Sequence, residues 1–201
     1  PNSDGKIVIN AADALQNTKY ASSQGASKDS YNWSWEAKGN GIQVTPESVQ
    51  DNKGVWTDRN WETLYGKAPM LQYKIKIETA GGYYLFANMS NPNNNADSYH
   101  VAIDGEYIYQ ASTGEKITDK MWDAEKHIIN LTAGEHTITI FAREDGLLIN
   151  QILLTDSSYT IKNLAMPVAN KNAWVIVDNN GEPDDILKTA TSREPLLTPI
   201  Q

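Results

Sequence analysis

Residues 71–77 alternate strictly. Leu71, Tyr73, Ile75 and Ile77 are apolar, and Gln72, Lys74 and Lys76 between them are polar. A side-chain period of two marks a strand with one face on a core and the other toward water. Ile7-Val8-Ile9, Tyr83–Ala87, Tyr99–Ile103, His127–Leu131, His136–Ala142 and Ile149–Leu154 read as further strands. Turn formers stand between them: Ala80-Gly81-Gly82, the loop Asn91–Asp97, Asp104-Gly105, Ala133-Gly134-Glu135 and Glu144-Asp145-Gly146. The links at 80–82 and 133–135 predict β-hairpins. This spacing predicts an all-β chain, an antiparallel β-sandwich or jelly roll. No amphipathic helix is evident before residue 157, and residues 12–17 allow one turn.

Three regions follow. Residues 1–6 read as a linker, residues 7–156 as the sandwich, and residues 157–201 as an extension that packs on the sandwich or begins another module. The extension holds one apolar run, Ala173–Val177, and an acidic turn over 178–185 that lacks the ligand spacing of a full calcium loop. The chain is expected to be a piece of a larger protein.

Composition removes several function classes. The net charge of −8 offers no basic field for phosphates, so neither nucleic acid nor an anionic membrane is an expected partner. No run of 18 apolar residues is present to span a bilayer. With no cysteine, thiolate chemistry and disulfides are excluded. No phosphate loop, H-E-x-x-H or Ser-His-Asp order appears. Ten Tyr and six Trp against two Phe is a skew toward rings with a polar tip, which suit half-wet surfaces. Four of the six Trp, namely Trp33, Trp35, Trp56 and Trp61, fall in the irregular stretch 21–68.

The order of motifs from residue 68 onward carries a resemblance. Ala68-Pro69-Met70-Leu71-Gln72-Tyr73 enters the first long strand and Gly81-Gly82-Tyr83-Tyr84 follows. Ala96-Asp97-Ser98-Tyr99-His100-Val101-Ala102-Ile103-Asp104-Gly105 carries a "DS-x-H-V-x-x-DG" pattern. Met121-Trp122, Ala133-Gly134-Glu135-His136-Thr137-Ile138, Arg143-Glu144-Asp145-Gly146-Leu147 and Leu153-Leu154-Thr155 complete the series. The chain resembles carbohydrate-binding modules of families 6 and 35, with their galactose-binding-like jelly roll, and the C-terminal domain of family 115 glycoside hydrolases. The resemblance spans residues 68–156, with looser agreement over 7–67. It implies a non-catalytic module of a secreted or cell-surface bacterial enzyme, with a polysaccharide or oligosaccharide and a tethered catalytic domain as partners. It implies no required cofactor, but relatives hold a structural calcium with glutamates of an "E-A-E" opening. Here that segment is Asn10-Ala11-Ala12, which leaves Asn10, Asp13 and Asp156 as oxygen donors. At the place of a ligand-binding Asn before the last strand stands Leu148, with Asn150 two positions away.

A sugar needs a flat aromatic face and planar hydrogen-bonding groups. Trp33 and Trp35 are two apart and share a strand face, either as a platform or as core. Trp56 and Trp61 lie among Lys53, Gly54, Asp58, Arg59 and Asn60, company that favours exposure. Trp122 either contacts ligand or lids the core. Arg143, Glu144 and Asp145 offer a guanidinium fork and two carboxylates, either to a glycan or to one another. Asn91–Asn95 reads as a solvated loop, and His100 and His127 as sheet residues. Three functions stay open at this point: a polysaccharide-binding module, a sandwich that braces a catalytic domain, and a small lyase or glycosidase with paired carboxylates.

Overall fold

The computed structural model describes residues 6–14, 16–17, 33–47, 56–92, 96–112, 121–122 and 127–156, with backbone alone for 6, 16–17 and 121–122. In chain order the strands are β1 (Lys6–Asn10), β2 (Gln16–Asn17), β3 (Ser34–Lys38), β4 (Gly41–Thr45), β5 (Met70–Ile77), β6 (Gly81–Ser90), β7 (Ser98–Ile103), β8 (Glu106–Ser112), β9 (Met121–Trp122), β10 (Ile129–Leu131), β11 (Gly134–Ala142) and β12 (Leu148–Asp156). A 3-10 turn, Ala11–Asp13, follows β1, and one helix, α1 (Trp61–Lys67), lies between β4 and β5. The expected extension and its acidic turn, residues 157–201, lie outside the described residues.

The strands form two antiparallel sheets. The first runs β2-β5-β11-β7-β8. The second runs β10-β6-β12-β4-β3, with β1 also on β12 and β9 on β6. Their inner faces make the core of a sandwich, as the alternating patterns require. Leu71, Tyr73, Ile75 and Ile77 of β5 are all buried there, while Gln72, Lys74 and Lys76 are half-buried on the opposite face. From the second sheet come Tyr83, Leu85, Ala87, Ile149, Ile152 and Leu154. Polar tips tie the layers together. The Tyr109 hydroxyl donates to Leu85 O at 3.1 Å, and the Tyr73 hydroxyl to Ala11 O at 2.7 Å.

Both expected hairpins are corrected. β5 and β6 lie in different sheets, and so do β10 and β11. The links at 78–80 and 132–133 cross the sandwich instead of folding a strand back on its neighbour. The short primed turns of hairpins need a positive φ, and Gly81 does not have one. Positive φ alone does not pick out the hairpins: it occurs at their turns, Gly39 (61°) between β3 and β4 and Asp104 (52°) with Gly105 (82°) between β7 and β8, but also at Gly134 (132°) and Gly146 (83°), where the chain passes between sheets. Long pairings decide the outcome. β5 matches β11 from Ile77 opposite Gly134 to Met70 opposite Phe141, and β6 matches most of β12.

The side chains that resemble family motifs hold strand ends together. Asp104 accepts from the Thr137 N–H at 2.7 Å and from His136 Nδ1 at 2.6 Å. This fastens the Asp-Gly turn to the start of β11.

Three of the expected platform rings are core. Trp33, Trp35 and Trp56 are 0%, 1% and 0% exposed. Trp33 sets its edge on Trp56 with centroids 5.4 Å apart, and Trp35 Nε1 donates to Pro69 O at 3.2 Å. Burying such rings gains more apolar area than any other choice of side chain. Accordingly, Trp33→Ala, Trp35→Ala and Trp56→Ala should each lower folding stability by about 3–5 kcal/mol in urea unfolding.

Candidate functional site

The outer face of the first sheet is not wet along its whole length. On β11 the outward residues run from exposed Glu135 through half-buried Thr137 to buried Thr139 and Phe141. Beside Phe141 lie Met70 on β5 and His100 on β7. The segment 56–68 covers this end. Trp56 starts it: its N–H donates to Arg143 O at 2.8 Å, and its carbonyl accepts from His100 Nε2 at 2.8 Å. α1 then lies across the face and buries Leu64. Seven residues make a helix that does not persist alone in water. Here the Asn60 side chain caps it, accepting from the Thr63 N–H at 2.8 Å, and tertiary burial supplies the rest.

α1 sets two rings together at the surface. Trp61 and Tyr65 are one helical turn apart, and their rings stack with centroids 5.1 Å apart at 29°. Trp61 rests edge-on upon Phe141 at 5.5 Å. A Cβ on Gly105 would lie 3.7 Å from the indole, an ordinary contact distance, so the β7–β8 turn borders the ring, and the glycine serves the turn's positive φ. Trp61 is half-buried, and Tyr65 is 46% exposed. Among the described residues only Tyr65 and Ile128 are exposed large hydrophobics.

Polar groups flank the pair. Arg59 is exposed and donates from Nη2 to Gln110 Oε1 at 3.2 Å. The Tyr107 hydroxyl faces His100 Nδ1 at 3.4 Å. Burial raises the pKa of Tyr107, against the pull of the Arg59 and Arg143 charges nearby. Burial is also the main cause that lowers the His100 pKa from 6.5 to about 4, so the ring is neutral at pH 7. With Nε2 donating to Trp56 O, Nδ1 is free to accept from Tyr107.

Of the expected ligand-binding residues whose side chains are described, the structure brings only Trp61 to an open aromatic surface. Arg143, Glu144 and Asp145 form an internal clamp. Arg143 Nη1 donates to Ser98 Oγ at 2.8 Å and pairs with Glu144. Glu144 Oε2 accepts from the Asp97 N–H at 2.9 Å and from Ser98 Oγ at 2.7 Å. Burial pushes the Glu144 pKa up, and these partners oppose it. Asp145 is buried beside them. The Glu144 carboxylate is spent on holding the turn to β7. Of Trp122 only the backbone is described, opposite Asn88 of β6.

The expected calcium set does not assemble. Asn10 and Asp13 are neighbours, with Asn10 Nδ2 donating to Asp13 Oδ1 at 3.4 Å. Asp156 is elsewhere. Asn10 faces Gln151 across the ladder, and Asp156 lies five positions further on, opposite Tyr83. At about 3.4 Å per residue that is roughly 17 Å. The three residues therefore do not fit one ion. Asp13 Oδ2 is buried without a hydrogen-bond partner among the described residues, and burial raises the Asp13 pKa from 3.8 to about 7.

Sequence reasoning missed Tyr65 and Gln110. The Trp61-x-x-x-Tyr65 spacing is the signal that finds the pair, once Asn60-Trp61-Glu62-Thr63 is read as a capped helix start.

Comparisons with known proteins come to the following. The family model described as "Glycosyl hydrolase family 115 C-terminal domain" matches residues 2–163. An uncharacterised protein, P23 of Formosa agariphila, is 24% identical over 162 residues, 71% of this chain; the chain spans 39% of that relative. The C-terminal family 6 carbohydrate-binding module of a marine laminarinase from Zobellia galactanivorans is similar with a TM-score of 0.46 and 12% identity, over 75% of this chain and 99% of that one. A family 35 carbohydrate-binding module from Clostridium thermocellum is similar with a TM-score of 0.44 and 13% identity, over 76% of this chain and 98% of that one.

Two buried groups give opposite pH dependences. His100 keeps its proton less tightly folded than unfolded, so its contribution is present above pH 6.5 and is lost as pH falls toward about 4. Asp13 keeps its proton more tightly folded, so its contribution is full below pH 3.8 and is lost as pH rises toward about 7. Relative to the parent protein in the presence of a chelator, His100→Gln should gain stability on acidification from 6.5 toward 4. Asp13→Asn should gain as pH rises from 4 to 7. Calorimetric Tm values across that range check both signs.

Proposed function

The chain belongs to the glycosyl hydrolase family 115 C-terminal domain family, and on that premise we propose that it is a non-catalytic polysaccharide-binding module of a secreted, bacterial carbohydrate-active enzyme. Its work is to hold a tethered catalytic domain near its glycan, which raises effective concentration without chemistry. The observation that carries the reading is the stacked Trp61–Tyr65 pair, seated on Phe141 at the surface beside Arg59. A pyranose ring lays its C–H face on an aromatic, and the planar guanidinium of Arg59 supplies donors for hydroxyls or a uronic-acid carboxylate. Because α1 lies on a sheet, the rings are pre-positioned and little ordering cost falls on binding.

The rival readings have less support. A bracing domain needs a broad apolar patch, and the two exposed large hydrophobics among the described residues stand on separate elements, α1 and the approach to β10. A glycosidase needs two carboxylates open to a cleft. The buried carboxylates Asp97, Glu144 and Asp145 are packed around the Arg143 turn instead.

Affinity electrophoresis through gels of neutral and uronic-acid-bearing plant and algal polysaccharides tests the reading. Retardation by at least one polymer is expected. Trp61→Ala and Tyr65→Ala should each weaken it by about 10-fold or more, from the ~1–3 kcal/mol that a stacked ring contributes in comparable recognition. Both variants should unfold within a few degrees of the parent. Retardation that survives both substitutions would place the binding surface elsewhere.

A further inference from the structure

A second concave surface lies along the open side of the sandwich and reaches the β7–β8 turn, where Gly105 sits beside the Trp61 indole. β8 ends the first sheet and β10 ends the path of the second. Between these two edges is a half-open groove of about 480 Å³. That volume is in the range of small-ligand sites. Ile108 from β8 and Leu131 from β10 line it, and Ile128, 56% exposed, stands at its lip. Besides His136, four polar residues line it: Asp104 in the β7–β8 turn, Glu106 on β8, Asn130 on β10 and Thr132 just after it.

Asp104 is the best-fixed of these acceptors. One carboxylate oxygen takes the Thr137 N–H at 2.7 Å and the other takes His136 Nδ1 at 2.6 Å. His136 is 9% exposed and its Nε2 lies 2.9 Å from Thr132 O, so the ring cannot swing. Yet the Asp104 side chain is 48% exposed. Each carboxylate oxygen has a second lone pair, and the exposed side can take a further donor. The acceptor is therefore held in place before any ligand arrives, which reduces the cost of ordering it on binding.

We propose that this groove is a second carbohydrate subsite, lined by neither Trp61 nor Tyr65, that takes a neutral sugar segment. A neutral sugar offers aliphatic C–H faces to Ile108, Ile128 and Leu131. Its hydroxyls donate to Asp104 and Glu106 and exchange hydrogen bonds with Asn130 and Thr132. Among the described residues no Lys or Arg lines the groove, so an acidic sugar meets the carboxylates of Asp104 and Glu106 there. A docked protein fits less well, because the centres of protein interfaces are depleted in Asp and Glu. The proposal goes beyond the function proposed above and uses none of the residues of the aromatic pair. The two surfaces are complementary in charge preference: Arg59 stands at one, and Asp104 and Glu106 stand at the other.

The full chain, labelled with ¹⁵N and ¹³C, tests this by titration with cellohexaose, xylohexaose, mannohexaose and laminarihexaose. Each is taken to about 10 mM, enough to fill a site with a Kd of ~1 mM. The amides of Ile128, Asn130 and Thr132 and the ring of His136 report on the groove, and the Tyr65 ring reports on the aromatic pair, since the Trp61 indole adjoins the β7–β8 turn and would feel both. With at least one sugar, saturable shifts are expected at the groove with their own Kd. Asp104→Asn, which keeps a residue tolerant of positive φ, and Ile128→Ser on the exposed lip should each raise that Kd at least fivefold while the Tyr65 titration is unchanged. Shifts at Tyr65 alone, groove shifts insensitive to both variants, or no groove shift with any of the four sugars would overturn the proposal. Movement of the Ile128 signal with protein concentration in the absence of sugar would overturn it too, by assigning the surface to a second copy of the chain. Groove shifts without Tyr65 shifts would instead sink the reading of the aromatic pair and leave the groove standing.

Discussion

The backbone of Trp56 is held from both sides, by Arg143 O on its N–H and by the His100 ring on its carbonyl. That double attachment decides what the outer face of the first sheet becomes. With it, segment 56–68 lies over Phe141 and Met70 and closes a layer that would otherwise be open. The Arg143 side chain meanwhile reaches Ser98 and Glu144, so the same residue fixes the segment through its backbone and the strand-end turn through its guanidinium. His100 fits the latch because burial keeps it neutral, with one ring nitrogen to donate and one to accept.

On that latch the surface is assembled in layers. Phe141 is supported by the sheet, Trp61 by Phe141, and Tyr65 by Trp61. Each ring limits the motion of the next, and the helix that carries two of them has no stability apart from this packing. Ring platforms on loops must be ordered when ligand binds; this one is ordered when the chain folds. The Asp104–His136 contact plays a comparable part at the β7–β8 turn, whose Gly105 borders the indole.

The fold class was legible because period two survives wherever a strand has one dry face. Leu71, Tyr73, Ile75 and Ile77 point inward as the pattern requires. The hairpin order was not legible, because a three-residue link serves a crossing between sheets as well as a hairpin. Only the partner strands β11 and β12, far along the chain, distinguish the two. Within the candidate site, Trp61 was legible from its polar surroundings. Trp56 was not, since the same surroundings hide a residue whose ring is fully buried by a covering segment. The Arg143-Glu144-Asp145 run has the residue types of a sugar site, and only the contacts with Ser98 and Asp97 across from it show that Arg143 and Glu144 are turned inward on each other. The donor set Asn10, Asp13 and Asp156 does not converge because which end of β12 faces Asn10 is set by pairing, not by residue type.

The central claim is that glycan meets this protein at the aromatic pair on α1. Hydrogen–deuterium exchange of the full chain, with and without a polysaccharide that retards it, tests that claim most directly. The account predicts slowed exchange concentrated in residues 59–65 and in the adjoining β8 amides near Gln110. Unchanged exchange over 59–65, with protection instead around Arg143–Gly146 or nowhere in the sandwich, would contradict it.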